Sequence, residues 1–171
     1  PRSHIKKNID KLTSLSEYAI VKNYTYFVCD ELFLRDNISE LIFEKINKDW
    51  NFKVTPSTPE VASVLKNWSQ WNDFLEELEQ KPKSSINAFR KKAITLSKKA
   101  EALKTNIPEK FDNPQIKSRI SIIITQLHAL DLYINLDKIP ADKVIGIIPN
   151  VNKGLQSLEA QFDEILRKEK I

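Results

Sequence analysis

Acid–base or metal chemistry in this 171-residue chain has to start from its two histidines, His4 and His128. His4 falls in the opening Pro1–His4 tetrapeptide, which is set aside as a candidate cloning remnant. His128 is followed three residues later by Asp131, a spacing that lets both share one helix face. A carboxylate so placed can orient an imidazole tautomer for catalysis or metal binding. Neither the Glu-x-x-His spacing of di-iron bundles nor a His-Glu-x-x-His motif occurs, so no further ligand is in view. The expectation is a histidine hydrogen-bonded to Asp131 on the flank of its helix, with no metal, no cofactor and no catalytic residue.

Other nucleophiles and acids give less. Cys29 sits between Val28 and Asp30 with no flanking cation to lower its pKa, and reads as an inert buried thiol. The carboxylates Asp73, Glu76, Glu77 and Glu79 are dense enough to suggest a glycosidase pair, but that chemistry needs two acids facing across a cleft. Here they flank one apolar stripe, and they read as solvated helix surface.

Charge offers the most distinctive feature. The segment Lys81–Lys104 holds Lys81, Lys83, Arg90, Lys91, Lys92, Lys98, Lys99 and Lys104 against the single acid Glu101. The local excess is larger than the +4 of the whole chain. Arg90, Lys91, Lys92, Lys98 and Lys99 are therefore the candidate anion- or partner-binding residues, for phosphate backbone or anionic headgroups. The preceding stretch, Pro59–Gln80, is acidic, with Glu60, Asp73, Glu76, Glu77 and Glu79 against Lys66. As antiparallel neighbours the two would attract along their flanks, and intramolecular complementarity is the favoured explanation of both. No exposed aromatics interleave the basic residues for base stacking, so nucleic acid is not an expected partner.

The elements that carry these residues read as helices. In Asn113–Leu136 the apolar residues Ile116, Ile120, Ile123, Leu127, Leu130 and Ile134 step alternately by four and three. A second set, Ile122, Ala129, Tyr133 and Leu136, widens that stripe beyond half the circumference, which predicts a helix buried inside the protein. Val61, Val64, Trp68, Trp71, Leu75 and Leu78 predict one unbroken helix over Pro59–Gln80. Ile86, Phe89, Ala93, Leu96, Ala100, Leu103 and Ile107 predict another up to Pro108. Val144, Ile148, Val151, Leu155, Leu158, Phe162 and Ile165 predict the last, with Pro149 as a kink that keeps the stripe inward and opens a place for a cavity. Thr58, Ser84 or Ser85, and Asn113 are the expected N-caps, with Pro59 and Pro114 behind the first and last.

Upstream, residues 5–22 read as an amphipathic helix and 21–29 as either helix or strand. Asp30–Trp50 is helical again, with Leu34, Ile38, Leu41, Ile42, Ile46 and Trp50 on one side. The predicted fold is all-α: an antiparallel four-helix bundle over about residues 58–169, with one or two extra N-terminal helices. The domain division is 1–57 packed against 58–171, at the break Thr55-Pro56-Ser57-Thr58-Pro59. Only two glycines, Gly146 and Gly154, against the usual ~7% argue against tight hairpins and phosphate-cradling loops.

Function follows by elimination and by compartment. No acid, base, nucleophile and oxyanion donor assemble into a catalytic set, so the expectation is a non-enzymatic binding or scaffold domain engaging a protein partner. The chain contains no methionine and one cysteine. It therefore reads as a fragment of a longer product, extracytoplasmic (periplasmic or secreted) and once tethered to a membrane through a missing N-terminal segment, with a cytoplasmic setting as the alternative. Two other readings stand beside it. One is a ligand-sensing bundle domain of a membrane receptor, which needs a cavity near Pro149. The other is binding to an anionic polymer or membrane surface through Lys81–Lys104.

Overall fold

A computed structural model describes residues 34–35 and 37–171. The chain divides into two units, Pro1–Ile42 and Phe43–Ile171. Within the first, residues 34–35 and 37–42 are helical, and Leu34, Ile38 and Leu41 of the predicted stripe are exposed. The readings of residues 5–22 and 21–29, of His4 and of Cys29 lie outside the described residues.

The second unit is built from helices, with no strand among the described residues. Helical residues 43–49 form α1, which ends at the buried Trp50. After an extended stretch come α2 (Pro59–Leu65), α3 (Ser69–Glu79), α4 (Ile86–Ala102), a 3-10 turn (Glu109–Phe111), α5 (Pro114–Ile134) and α6 (Ala141–Glu169). Contacts between consecutive helices run from the start of one to the end of the next. Glu77 meets Lys92 while Asp73 meets Lys99; Arg90 meets Ile134 while Ser97 meets His128; Arg119 meets Ser157 while Gln126 meets Asn150. The pairs α3/α4, α4/α5 and α5/α6 are therefore antiparallel.

Helix starts follow the expected caps. Asn113 Oδ1 accepts from the Ile116 amide at 3.0 Å, with Pro114 at the first helical position, where its missing N–H costs nothing. Ser85 Oγ accepts from the Ala88 amide at 3.2 Å. Thr58 occupies the cap position of α2 but spends its hydroxyl on Asp163, 2.8 Å away on α6. In a glycine-poor chain the left-handed turn positions fall instead to Ser84 (φ 71°) and Asn106 (φ 55°), and short polar side chains are the residues best able to take them.

Two predicted helices are shorter than their apolar spacing implied. Pro59–Gln80 is not one helix: the chain leaves α2 at Lys66 and re-enters α3 at Ser69. Trp68 sits between them with its indole Nε1 donating to the Thr105 carbonyl at 3.1 Å, and Asn72 Nδ2 donates to the Leu65 and Lys66 carbonyls at the end of α2. The Trp68 and Trp71 rings still stack at 5.6 Å, so the stripe runs unbroken across a break in the backbone. Likewise α4 stops at Ala102, because the chain must turn through Asn106 to bring Phe111 into the core.

Core packing concentrates on two aromatic groups and the α5–α6 contact. Phe162 lies 4.4 Å from Phe111 and 5.7 Å from Trp71 between ring centroids, while Trp50 lies 4.9 Å from Phe89. The six inner positions of α5, from Ile116 to Ile134, are fully buried, each stabilising the fold by roughly 1.5–3 kcal/mol. Gly154 sets the depth of that contact: a Cβ there would stand 2.9 Å from Ile123 Cγ1. The second set on α5 is not interior, however. Ile122 and Leu136 are 53% and 41% exposed, because α4 and α6 clasp α5 from one side and the described residues leave its opposite face open.

The more deeply buried of two buried ionisable groups among the described residues lies in this core. Glu159 on α6 is 4% exposed; its Oε1 accepts from the Ser57 hydroxyl at 2.9 Å and its Oε2 has no hydrogen-bond partner among the described residues. Burial pushes its carboxyl up to about 7, opposed by the Ser57 hydrogen bond and reinforced by the neighbouring Asp163 carboxylate. The folded chain thus keeps a proton that the unfolded chain releases above its ordinary 4.5. Stability from this group is complete below that value and is lost as pH rises towards 7. Glu159→Gln is expected to remove this fall and to raise stability at about pH 8 by an amount on the order of 1–2 kcal/mol, read from urea midpoints across the pH range.

Candidate functional site

The α6 backbone opens at a specific place. Pro149 lies inside α6 and carries no N–H, so the Ile145 carbonyl one turn earlier loses its helical donor. Gly146 lies beside it, and a Cβ added there would meet nothing within 4 Å. Against this turn runs the extended segment that follows α1. Asn152 holds it in place: its Oδ1 accepts from the Lys53 amide at 2.8 Å and its Nδ2 donates to the Asn51 carbonyl at 3.0 Å.

Between these elements and the end of α3 lies an open cleft of about 820 Å³. That is within the roughly 300–1,000 Å³ of ordinary ligand pockets. Trp50, Phe52, Leu78, Ile145, Ile148 and Pro149 give it apolar surface. Asp49, Glu79 and Asp142 bring carboxylates to the same walls, and Lys53 and Lys81 bring ammonium groups. Two of these are engaged within the chain: Asp142 pairs with Lys45, and Lys81 donates to the Asn47 carbonyl. Trp50 is 3% exposed and its indole N–H has no partner among the described residues, a cost of about 1–3 kcal/mol for a buried donor. A cavity near Pro149 is therefore present, with its lining drawn from three stretches that the sequence does not bring together.

The basic segment is organised differently. Lys92 is nearly buried, and its ammonium pairs with Glu77 at 2.5 Å, whose other oxygen takes Lys99 at 2.9 Å. Arg90 donates to the Ile134 and Leu136 carbonyls at 3.0 and 3.2 Å and so closes the C-terminal end of α5. Lys91 and Lys98 are exposed and have no ion-pair partner among the described residues. Of the five candidate anion-binding residues, three are thus turned to internal contacts. Glu77 corrects the reading of its cluster as solvated surface, whereas Asp73, Glu76 and Glu79 are exposed. Burial pushes the Glu77 carboxyl up, but Lys92 and Lys99 together hold it below the usual carboxylate value.

His128 does not pair with Asp131. Asp131 accepts from Asn135 Nδ2 at 2.8 Å instead, at the end of α5. The imidazole reaches across to α4, with Nε2 2.6 Å from Glu101 Oε1 and Nδ1 3.0 Å from Ser97 Oγ. A carboxylate only accepts, so Nε2 carries the proton, and in the neutral ring Nδ1 accepts from the Ser97 hydroxyl. His128 and then Lys104 hold the Glu101 carboxyl below its ordinary value. The order serine, histidine, acid has the form of a hydrolase relay with the two ring nitrogens exchanged. Ser97 is 4% exposed in mid-helix, and the amides around it belong to the helix ladder, so neither substrate access nor an oxyanion hole accompanies it. The three residues fasten α4 to α5. Spacing within α5 could not reveal them, since Ser97 and Glu101 lie on another helix.

Among the described residues no group of three or more His, Cys, Asp or Glu side chains is placed to hold a metal ion, and no helix is long and apolar enough to cross a membrane. The Glu77 clamp yields a direct test of the internal use of the basic segment. Glu77→Gln leaves the Lys92 ammonium buried without its countercharge and is expected to cost about 2–3 kcal/mol in urea unfolding, while Glu76→Gln on the exposed face changes stability by less than about 0.5 kcal/mol. No protein-family model, curated protein or solved structure matches this chain.

Proposed function

We propose that the chain is a non-enzymatic binding domain that receives a segment of a protein partner in the cleft at Pro149. In this reading the helices between about residues 58 and 169 act as an antiparallel four-helix bundle, a rigid frame for the cleft. The observation that carries the proposal is the cleft itself, at the turn where Pro149 strips the Ile145 carbonyl of its donor. A backbone acceptor without its usual helical donor beside apolar surface, with Asp49, Glu79 and Lys53 on the same walls, suits a polypeptide, which supplies N–H donors, apolar side chains and charges of both signs. The open form of the cleft favours a chain segment lying across it over a small molecule enclosed by it. An extracytoplasmic setting belongs to the same proposal, and its support is the scarcity of methionine and cysteine in the composition.

The same cleft favours one further reading, the ligand-sensing domain of a membrane receptor, in which a small amide-bearing ligand occupies it. The anionic-surface reading draws on Lys91 and Lys98, which are seven residues apart and exposed on α4.

Gly146 supplies the discriminating variant, because its Cβ position opens onto free space. Gly146→Phe is expected to fill the cleft with the fold intact. In crosslinking pull-downs from the native host read by mass spectrometry, the expected result is a protein enriched by the wild-type chain and lost with Gly146→Phe. That protein should be retained by the double variant Lys91→Glu, Lys98→Glu. The converse pattern, with salt-dependent retention on heparin, would move the function to the α4 face.

A further inference from the structure

Residues 51–58 run along α6 as a strap without regular secondary structure, and each hydrogen bond between the two among the described residues uses an α6 side chain. Asn152 takes the Lys53 amide and the Asn51 carbonyl, the Ser57 hydroxyl donates to Glu159 Oε1, and the Thr58 hydroxyl donates to Asp163. Spacings of seven and four put Asn152, Glu159 and Asp163 on one face of α6. The ends of the strap are tied down by the core, with Trp50 buried before it and Val61 buried after it.

Glu159 is a buried acid under this strap with half its bonding unmet, since Oε2 has no partner among the described residues. The cations around it are committed elsewhere. Lys53, the one charged side chain of the strap, lines the cleft. Glu60 of α2 pairs with Lys170, and Lys110 of the 3-10 turn pairs with Glu169. From α3 it is Trp71 that packs on this part of α6, against Phe162. Arg119 of α5 bonds to Ser157, which helix geometry puts on the opposite side of α6 from Glu159. The charge acting on Glu159 is instead the like charge of Asp163, one turn on. A carboxylate so placed has to be hydrated once it forms. Of the elements over it, α6 is fixed along its other side by α5, whereas the strap has only side-chain bonds to release. We propose that Glu159 is a pH-sensitive latch: neutral, it lets residues 51–58 lie closed on α6, and when its proton passes to solvent the strap lifts and admits water to the carboxylate. Burial pushes the carboxyl up to about 7, so the latch works near neutrality. Asn51, Phe52 and Lys53 also wall the cleft at Pro149, but the latch needs only the strap and α6 and operates whatever the cleft receives.

Native-state hydrogen exchange of the Lys53 amide, which Asn152 holds in the closed strap, tests it by NMR on the 171-residue chain. Dividing the observed rate by the intrinsic rate at the same pH gives the opening constant of the strap. With the carboxyl at about 7 when closed and at its ordinary 4.5 when open, that constant is expected to rise about tenfold from pH 6 to pH 8. Glu159→Gln, which cannot ionise, is expected to hold it flat. The Lys53 amide should also exchange far faster than the amides of Ile123 and Leu127 in the α5 core, because the strap opens without the bundle. An opening constant equal at pH 6 and pH 8 in the wild-type chain overturns the proposal. So does a rise that persists in Glu159→Gln, or a Lys53 amide as well protected as the α5 core.

Discussion

The contact between α5 and α6 is the constraint on which the rest of the second unit depends. Six apolar side chains on the inner face of α5 meet the stripe of α6, and Gly154 lets the two backbones come close enough for Ile123 to fill the space where a Cβ would stand. Because that contact is fixed along much of α6, the helix is held in place through Pro149 even though it loses a backbone hydrogen bond there. A defect tolerated in a well-held helix leaves an acceptor without its helical donor at a defined position. The cleft is a consequence of the packing on the other side of the helix.

Polar contacts fasten the remaining elements to this pair, and each does so by occupying a charge or a helix end. Arg90 closes α5, Glu77 gathers Lys92 and Lys99, and His128 joins Ser97 and Glu101. Residues whose types suggest catalysis or anion binding are thereby committed to joining helices. Their partners lie on neighbouring helices, so geometry across the interface decides their role. What is left accessible is different in kind: the mixed lining at Pro149, the pair Lys91 and Lys98, and the exposed Ile122 and Leu132 of α5.

Much of the helical framework was legible in the sequence, because apolar spacing and caps are local properties. Asn113-Pro114 and Ser85 mark helix starts as expected, and the inner α5 positions are buried without exception. The break at Lys66–Trp68 was not legible, since the apolar spacing continues across it and the Trp68–Thr105 bond that turns the chain is long-range. The breadth of the α5 stripe misled for a related reason: periodicity counts apolar residues around a helix but cannot say which face has a neighbour. Of the site, the position of the cavity could be read from Pro149 and Gly146. Its other walls could not, because Trp50, Leu78 and Glu79 reach it through tertiary packing.

The central claim is that recognition takes place at the Pro149 turn of α6. The most direct measurement is amide chemical-shift mapping by NMR on the isotope-labelled chain, titrated with peptides selected for binding from a random library. The predicted result is a set of perturbations confined to residues 49–53, 78–81 and 142–152, the segments that line the cleft. Perturbations centred instead on Lys91 and Lys98, with the Pro149 turn unmoved, would contradict it.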